Sequence, residues 1–398
     1  MSHQYDVIIV GAGMVGASLA VALSHEPSLS IALIEAYPIK PLADTDPIDL
    51  RVCAINQASE RLLSNLGIWQ QLIDDRIGHF SDMRVWEALD SEIHFASADI
   101  GEAYLGHIVE NRHLQQACLQ VVQQKQNIDF LCPEKPVSMT EHTLQLESGR
   151  VITADLIVGA DGARSHLRDW AGIKSKGWDY QQSGIVCTVT TENPHNNTAR
   201  QRFLTDGPLA FLPLADPNQC SIVWSNTQSR AETLTTLDDA AFQVELANAF
   251  QYQLGDITAI STRAAFPLTL RHARQYVTEG FALVGDAAHT IHPLAGQGVN
   301  IGLLDAATLA EIILQAKQKG RRIDSLHTLN KYQRQRKGDN LAIQLTMDLF
   351  KRGFGHQQRP LRMARQCGFQ LVNKSSLLKN LFMQQAAGHR FANPKLTR

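Results

Sequence analysis

The sequence predicts an α/β fold built on a parallel sheet, and three stretches carry that prediction: VIIVGAGMVGASLAVAL at residues 7–23, LIVGADGARSHLR at 156–168 and FALVGDAAHTIHPLAGQGVNIGLLD at 281–305. Each begins as a short apolar run of strand character and breaks at glycine. The first and third then continue with small and apolar residues at helical spacing. Strand, turn and helix in that order is the unit from which a parallel sheet with covering helices is made.

The first stretch contains eighteen residues, 7–24, without a charge, a length that would cross a bilayer. Its surroundings argue for a soluble fold instead. MSHQYD precedes it with no basic residue, whereas a secretion signal carries positive charge ahead of its apolar core. A second apolar run, IALIE, follows after polar chain. The 398 residues, 44% hydrophobic with a formal charge of −2, are enough for one large or two medium domains. Six cysteines (Cys53, Cys118, Cys132, Cys187, Cys220, Cys367) have neither CxxC nor metal-ligand spacing, so they are expected as buried thiols in a reducing compartment, with no metal site.

Within the first stretch Gly11, Gly13 and Gly16 stand at GxGxxG spacing between strand and helix. Gly11 allows a tight turn, Gly13 lets backbone approach a pyrophosphate, and Gly16 lets the helix lie close to the sheet, with its N-terminus toward the phosphates. After a second strand at 30–34 comes Glu35, where a carboxylate accepts from a ribose hydroxyl. Together these predict dinucleotide binding, and Glu35 disfavours a 2′-phosphate, leaving NAD or FAD. Asp161 and Gly162 follow the strand of the second block, and Asp286 that of the third. A second glycine turn, Gly296, Gln297 and Gly298, then opens a helix whose N-terminal N–H groups and dipole suit a ring bearing negative charge, as a reduced flavin does. Three strand ends carrying Asp or Glu beside Gly are the pattern expected where a ligand crosses the carboxyl edge of a sheet.

GAGMVG, Glu35, GADGARSHLR and ALVGDAAHTIHPLAGQGVN together resemble the single-component flavoprotein aromatic hydroxylases of the para-hydroxybenzoate hydroxylase fold. RVCAIN at 51–56, HIVEN at 107–111 and FLPLADP at 211–217 narrow the resemblance to the ubiquinone-biosynthesis hydroxylases. MDLFKRGF and PLRMARQCG resemble the branch acting on 2-octaprenyl-3-methyl-6-methoxy-1,4-benzoquinol. The resemblance implies a Rossmann-like FAD-binding fold with an inserted β-rich substrate domain and a helical C-terminus. It divides the chain into a discontinuous FAD domain (1–78, 106–174 and 276–335), a substrate domain (79–105 and 175–275) and a basic C-terminal segment (336–398).

Carried over residue by residue, the resemblance implies that Gly11, Gly13, Gly16 and Glu35 hold the ADP half of FAD, with Arg51 near the cofactor and Asp286 on the ribityl chain. Pro293, Gly296, Gln297, Gly298, Val299 and Asn300 would lie along the isoalloxazine, with Pro293, Gly296 and Gly298 at the reacting carbon. Asp161 to Arg168 would lie between FAD and a reductant. Many relatives of the wider class have Arg where this chain has Asn111; Arg112 is adjacent, and either could touch FAD. In that family reduced flavin reacts with O₂ to give a C4a-hydroperoxide, whose distal oxygen passes to an electron-rich ring. The cofactor carries the hard chemistry, so few catalytic side chains are expected, and His289 and His292 are read as supports of a tight loop. No second GxGxxG follows a strand. NAD(P)H is therefore expected as a transient donor, with Arg51, Arg164 and Arg168 as candidates for its phosphates or for salt bridges.

Residues 175–275 contain β-rich runs such as SGIVCTVTT, LAFLPL and QCSIVWS, expected as a sheet that covers the flavin and walls a quinone ring. Trp86, Phe203, Phe211 and Trp224 are candidates for that wall, against plain core. From residue 331 to the end, 14 Lys plus Arg face 2 Asp, a charge of +12 that leaves −14 on the remainder. That segment suits packing on the acidic body, an anionic lipid surface or a partner protein. Nucleic acid is not expected, since apolar residues and not aromatic or Gly-Arg runs accompany the charge. The expected partners are O₂, a polyprenylated quinol or phenol, and a membrane or biosynthetic assembly, with homo-oligomerisation open. The expected location is cytoplasmic, or peripheral at the inner membrane. Rival readings are a flavin oxidase or dehydrogenase, and a subunit that holds FAD without catalysis.

Overall fold

The structure is a computed structural model describing residues 3–43, 45–87, 92–290, 298–355, 388 and 393–398, without the side chains of 343–355. The opening apolar run is divided between two elements. Strand His3–Val10 carries residues 7–10, which are 0–5% exposed, and helix Met14–Leu23 carries the rest. A strand covered on both faces reads as a continuous apolar run, which explains why residues 7–10 lack alternation. Each fully buried Leu or Ile here stabilises by about 1.5–3 kcal/mol.

Strand His3–Val10 lies between Val151–Gly159 and Ile31–Ile34, parallel to both. Phe281–Leu283 extends the parallel set beyond Val151–Gly159, and Ile128–Leu131 extends it beyond Ile31–Ile34. Helix Gly298–Gln318 packs against Met14–Leu23 and into the same core. It is long and apolar enough by composition to cross a membrane, but most of it is buried inside the protein. A small antiparallel sheet, Val52–Asn56, Gly106–Glu110 and Gly78–Phe80, forms a crossover beside this unit.

The second large sheet has nine strands in the described residues. Asp82–Trp86 runs parallel to Thr198–Leu204, and the order continues through Gly207–Pro213, Gln219–Thr227, Ser175–Thr191 and Ala264–Ala273. The sheet does not stop at residue 275. Strand Ala264–Ala273 pairs with His289–Thr290, so its edge joins the turn that follows Phe281–Leu283. Four cysteines, Cys53, Cys118, Cys187 and Cys220, are buried free thiols and Cys132 is half-buried; Cys367 lies outside the described residues. Burial pushes the first four up to about 12, which makes them inert.

Candidate active site

The parallel strands end side by side. Gly11 N donates to Ile34 O at 2.8 Å, Ala160 N to Val10 O at 2.8 Å, and Val284 N to Gly159 O at 3.1 Å. This adjacency brings Gly11, Glu35, Asp161 and Asp286 to one carboxyl edge, from positions as far apart in sequence as 11 and 286. The edge is where a ligand meets an open α/β sheet.

The glycine loop divides into two closed positions and one open one. At Gly11, with φ +104°, a Cβ would lie 2.4 Å from Ala160 O; at Gly16 it would lie 2.0 Å from Gly11 O. Both glycines permit backbone to touch backbone. At Gly13 a Cβ would meet nothing within 4 Å, so the chain itself does not require glycine there. Gly13 is the N-cap of helix Met14–Leu23 and supplies no side-chain cap, whereas Asn56, Ser165, Thr227 and Asp238 cap their own helices. The N–H groups of the first turn therefore face outward for an anion. Glu35 Oε2 accepts from Ala12 N at 2.9 Å and Oε1 from Tyr37 N at 3.2 Å, which fixes the carboxylate at the lip of the loop.

Two buried oxygens at this edge lack a hydrogen-bond partner among the described residues, Asn111 Oδ1 and Asp161 Oδ1. Asn111 opens helix Asn111–Val122, its N–H donating to Arg51 O at 2.9 Å. Arg112 is drawn away, its guanidinium 2.7 Å from Asp46 Oδ2. Asp161 Oδ2 accepts from Leu167 N at 3.2 Å. Buried polar atoms are normally satisfied. A ligand carrying hydroxyl groups would supply donors to these oxygens, and the open space at Gly13 leaves room for it.

Asp286 is solvent-accessible, yet protein packs closely around its carboxyl group. That desolvation raises its carboxyl above the ordinary value, with His289 and Arg51 opposing. Arg51 itself is exposed. His289 is buried, 2% exposed, and its Nε2 lies 2.5 Å from Asp305 Oδ2, in agreement with a supporting role. At the start of helix Gly298–Gln318, Gly298 has open space around its Cα and Val299 is half-buried. Pro293, Gly296, Gln297 and His292 lie outside the described residues.

Three sequence expectations change. Asn300 is 1% exposed; its Oδ1 accepts from Asn56 N at 3.0 Å and its Nδ2 donates to Ala54 O at 2.7 Å. Its amide clamps the helix to strand Val52–Asn56, leaving only its backbone for a ligand. Arg168 is 3% exposed and donates to Ala163 O and Ala287 O, so it ties two loops together and cannot dock a reductant at the surface. Arg164 remains exposed.

The third change concerns the wall. The pairing Ile185–Trp224–Leu209–Arg202 lies on the sheet face covered by helices Gln228–Thr236 and Asp239–Ala249. Trp86, Phe211 and Trp224 belong to that core at 2%, 1% and 4% exposure, with Phe211 stacked on Phe250 at 3.6 Å. Alternation puts the neighbouring row, Val186–Val223–Ala210–Gln201, on the opposite face, together with Phe203. This face is apolar and half-buried in its middle.

Sequence reasoning missed Gln115, whose Nε2 donates to Ala12 O at 2.9 Å and braces the glycine loop, and the buried pair Asp305 and Arg336. A charge at Asp305 inside an apolar helix was the visible signal for the pair; nothing near Gln115 in the sequence marks it.

Comparison with known proteins shows the family. Residues 4–344 match the family model described as FAD binding domain. The chain is 39% identical over 387 residues to 3-demethoxyubiquinol 3-hydroxylase of Escherichia coli (strain K12), covering 96% of this chain and 98% of that one. It is 36% identical to ubiquinone hydroxylase UbiL of Rhodospirillum rubrum, covering 96% of this chain and 89% of the relative. Its fold is similar to that of p-nitrophenol 4-monooxygenase PnpA from Pseudomonas putida DLL-E4, with a TM-score of 0.77 at 17% identity over 98% of this chain and 100% of that one. The chain belongs to the ubiquinone-biosynthesis flavoprotein hydroxylases, FAD-dependent monooxygenases of the para-hydroxybenzoate hydroxylase fold.

Proposed function

We propose that this enzyme hydroxylates the ring of a polyprenylated benzoquinol, and that its substrate is 2-octaprenyl-3-methyl-6-methoxy-1,4-benzoquinol. The observation that carries the ring chemistry is the convergence of Glu35, Asp161 and Asp286 on one glycine-lined edge, in a chain whose second sheet has a half-buried face bearing Val186, Val223 and Ala210. Full-length similarity to a 3-demethoxyubiquinol 3-hydroxylase supports the choice of substrate. A sister position on the ring, or a polyprenylphenol, is the second reading, since the chain is also similar to a protein named only as a ubiquinone hydroxylase.

The unit formed by 1–78, 106–174 and 276–335 holds FAD, and 79–105 with 175–275 provides the substrate wall. Backbone at Gly11, Gly13 and Gly16 cradles the pyrophosphate, Glu35 holds the adenosine ribose, and the oxygens of Asn111 and Asp161 accept hydrogen bonds from FAD hydroxyl or N–H groups. Asp286 holds the ribityl chain. N–H groups of Gly298 and Val299, at the positive end of a long helix, stabilise negative charge on the ring system. When bound, FAD would accept reducing equivalents and activate O₂, which supplies the inserted oxygen atom. The protein's share is to orient the ring on the row Val186, Val223 and Ala210, and to keep water from the reacting carbon.

NAD(P)H is the reductant and docks transiently, with exposed Arg51 and Arg164 on its phosphates. The enzyme is cytoplasmic, and its basic C-terminal segment meets the anionic surface of the inner membrane, where a polyprenyl substrate resides. Liposome flotation of the full chain at low and high salt tests that contact; absence from the lipid layer under both conditions would remove it. Mass spectrometry of the quinone intermediates that accumulate when the gene is deleted tests the substrate. Accumulation of the 3-methyl-6-methoxy quinone is expected, and accumulation of a polyprenylphenol would transfer the enzyme to the sister step.

A further inference from the structure

Asp305 is fully buried on helix Gly298–Gln318, and its carboxylate gathers donors from two separate parts of the chain. Oδ2 accepts from Gly285 N at 3.2 Å and from His289 Nε2 at 2.5 Å. Oδ1 accepts from Arg336 Nε at 2.7 Å and from Asn340 Nδ2 at 3.2 Å. Gly285 and His289 bracket Asp286. One carboxylate oxygen thus fixes both ends of the turn that carries Asp286, and the other is held by helix Leu326–Gly355, which contains the beginning of the basic segment.

Arg336 is 3% exposed and its planar fork is fully engaged, with a second nitrogen 2.8 Å from Asn340 Oδ1 and 3.4 Å from Ile301 O. Burial would push the Asp305 carboxyl up, but His289 and Arg336 reverse this and hold it at about 2, so the carboxylate is ionised at neutral pH. A buried ion pair this well bonded is a weak source of stability, yet it specifies one arrangement, since either charge left alone is strongly disfavoured. The same helix has anchors outside this network. Tyr332 Oη donates to Leu283 O at 2.7 Å, and Gln333 Oε1 accepts from Tyr276 N at 2.7 Å.

We propose that Arg336 is a positioning residue for FAD: through Asp305 and His289 it sets the turn carrying Asp286, so the C-terminal helix governs cofactor affinity without touching the cofactor. The inference rests on the reading of Asp286 as an FAD ligand. It makes the first half of helix Leu326–Gly355 part of the cofactor site, so a truncation within the segment 336–398 preserves FAD binding only if it begins beyond Asn340.

The test uses the full chain, stripped of FAD, and measures FAD affinity by flavin fluorescence together with the thermal midpoint of the apoprotein. Arg336→Lys keeps a charge and loses the fork; a rise in Kd of about tenfold is expected, one charge-assisted hydrogen bond being of that order. His289→Asn cuts the network at its other end, away from helix Leu326–Gly355, and a rise of the same order is expected even if Arg336→Lys folds poorly. Tyr332→Phe removes an anchor of the same helix outside the network, and is expected to lower the midpoint and leave Kd unchanged. An unchanged Kd in Arg336→Lys and His289→Asn, or an equal rise in Tyr332→Phe, would overturn the proposal. Asp286→Asn separates the two readings. If it leaves Kd unchanged, the assignment of Asp286 fails; if it weakens binding while Arg336→Lys does not, only the positioning role fails.

Discussion

Gly13→Ala isolates the cofactor's contribution to the glycine loop. At this position φ is −70° and ψ is 177°, an extended conformation open to any residue, and a Cβ meets no protein atom within 4 Å. Alanine therefore fits the apoprotein without strain, and by restricting the unfolded chain stabilises it by about 0.4–1 kcal/mol. If the pyrophosphate lies over Gly13, the same methyl displaces it from the N–H groups of helix Met14–Leu23. A hydrogen bond to a charged group contributes about 1.5–3 kcal/mol, so the loss of one weakens FAD binding about 10- to 150-fold. Gly16→Ala behaves differently, since its Cβ would press to 2.0 Å from Gly11 O and destabilise the apoprotein itself. Calorimetry of each apoprotein and FAD titration by fluorescence quenching separate the two effects. A Gly13→Ala protein that binds FAD within about twofold of the wild type, or whose apoprotein is as damaged as Gly16→Ala, would refute the placement of the pyrophosphate.

Three further outcomes follow from the geometry. Phe211→Ala removes a fully buried ring on the helix-covered face of the sheet, so it is expected to cost about 3–5 kcal/mol in urea unfolding and to leave the KM for quinol unchanged. Asp305 has a carboxyl lowered to about 2 in the fold, against about 3.9 for a free aspartate. Its stabilising contribution is complete above about pH 4 and is lost as pH falls toward about 2; urea midpoints measured between pH 7 and pH 2 should lose that acid slope in Asp305→Asn, which is weaker already at pH 7. Arg164→Ala is expected to raise the KM for NAD(P)H severalfold at unchanged thermal midpoint, whereas Arg168→Ala lowers the midpoint, because its guanidinium bonds Ala163 O and Ala287 O inside the protein.

The strand-turn-helix order, the glycine loop and the acids at three strand ends were legible because each is a local pattern: φ and backbone approach demand glycine, and a strand end beside a turn places the acid. Burial direction was not legible to the same degree. Trp86, Phe211 and Trp224 share a sheet with Val186, Val223 and Phe203, and only the pairing register together with two covering helices decides which face is core. Asn300 and Arg168 stand inside site motifs, yet their side chains complete hydrogen bonds to Ala54, Asn56, Ala163 and Ala287, partners brought near by tertiary packing. The link from Arg336 to the turn at Asp286 spans 50 residues of sequence and emerges only when two helices meet on one carboxylate.

Hydroxylation of the quinol ring is tested most directly by a single turnover under ¹⁸O₂. The FAD-loaded enzyme, reduced and mixed with a polyprenyl benzoquinol bearing one free ring position, should return a product carrying one labelled oxygen on the ring. Oxidation of the flavin with an unlabelled ring, the label appearing only in hydrogen peroxide or water, would contradict the account.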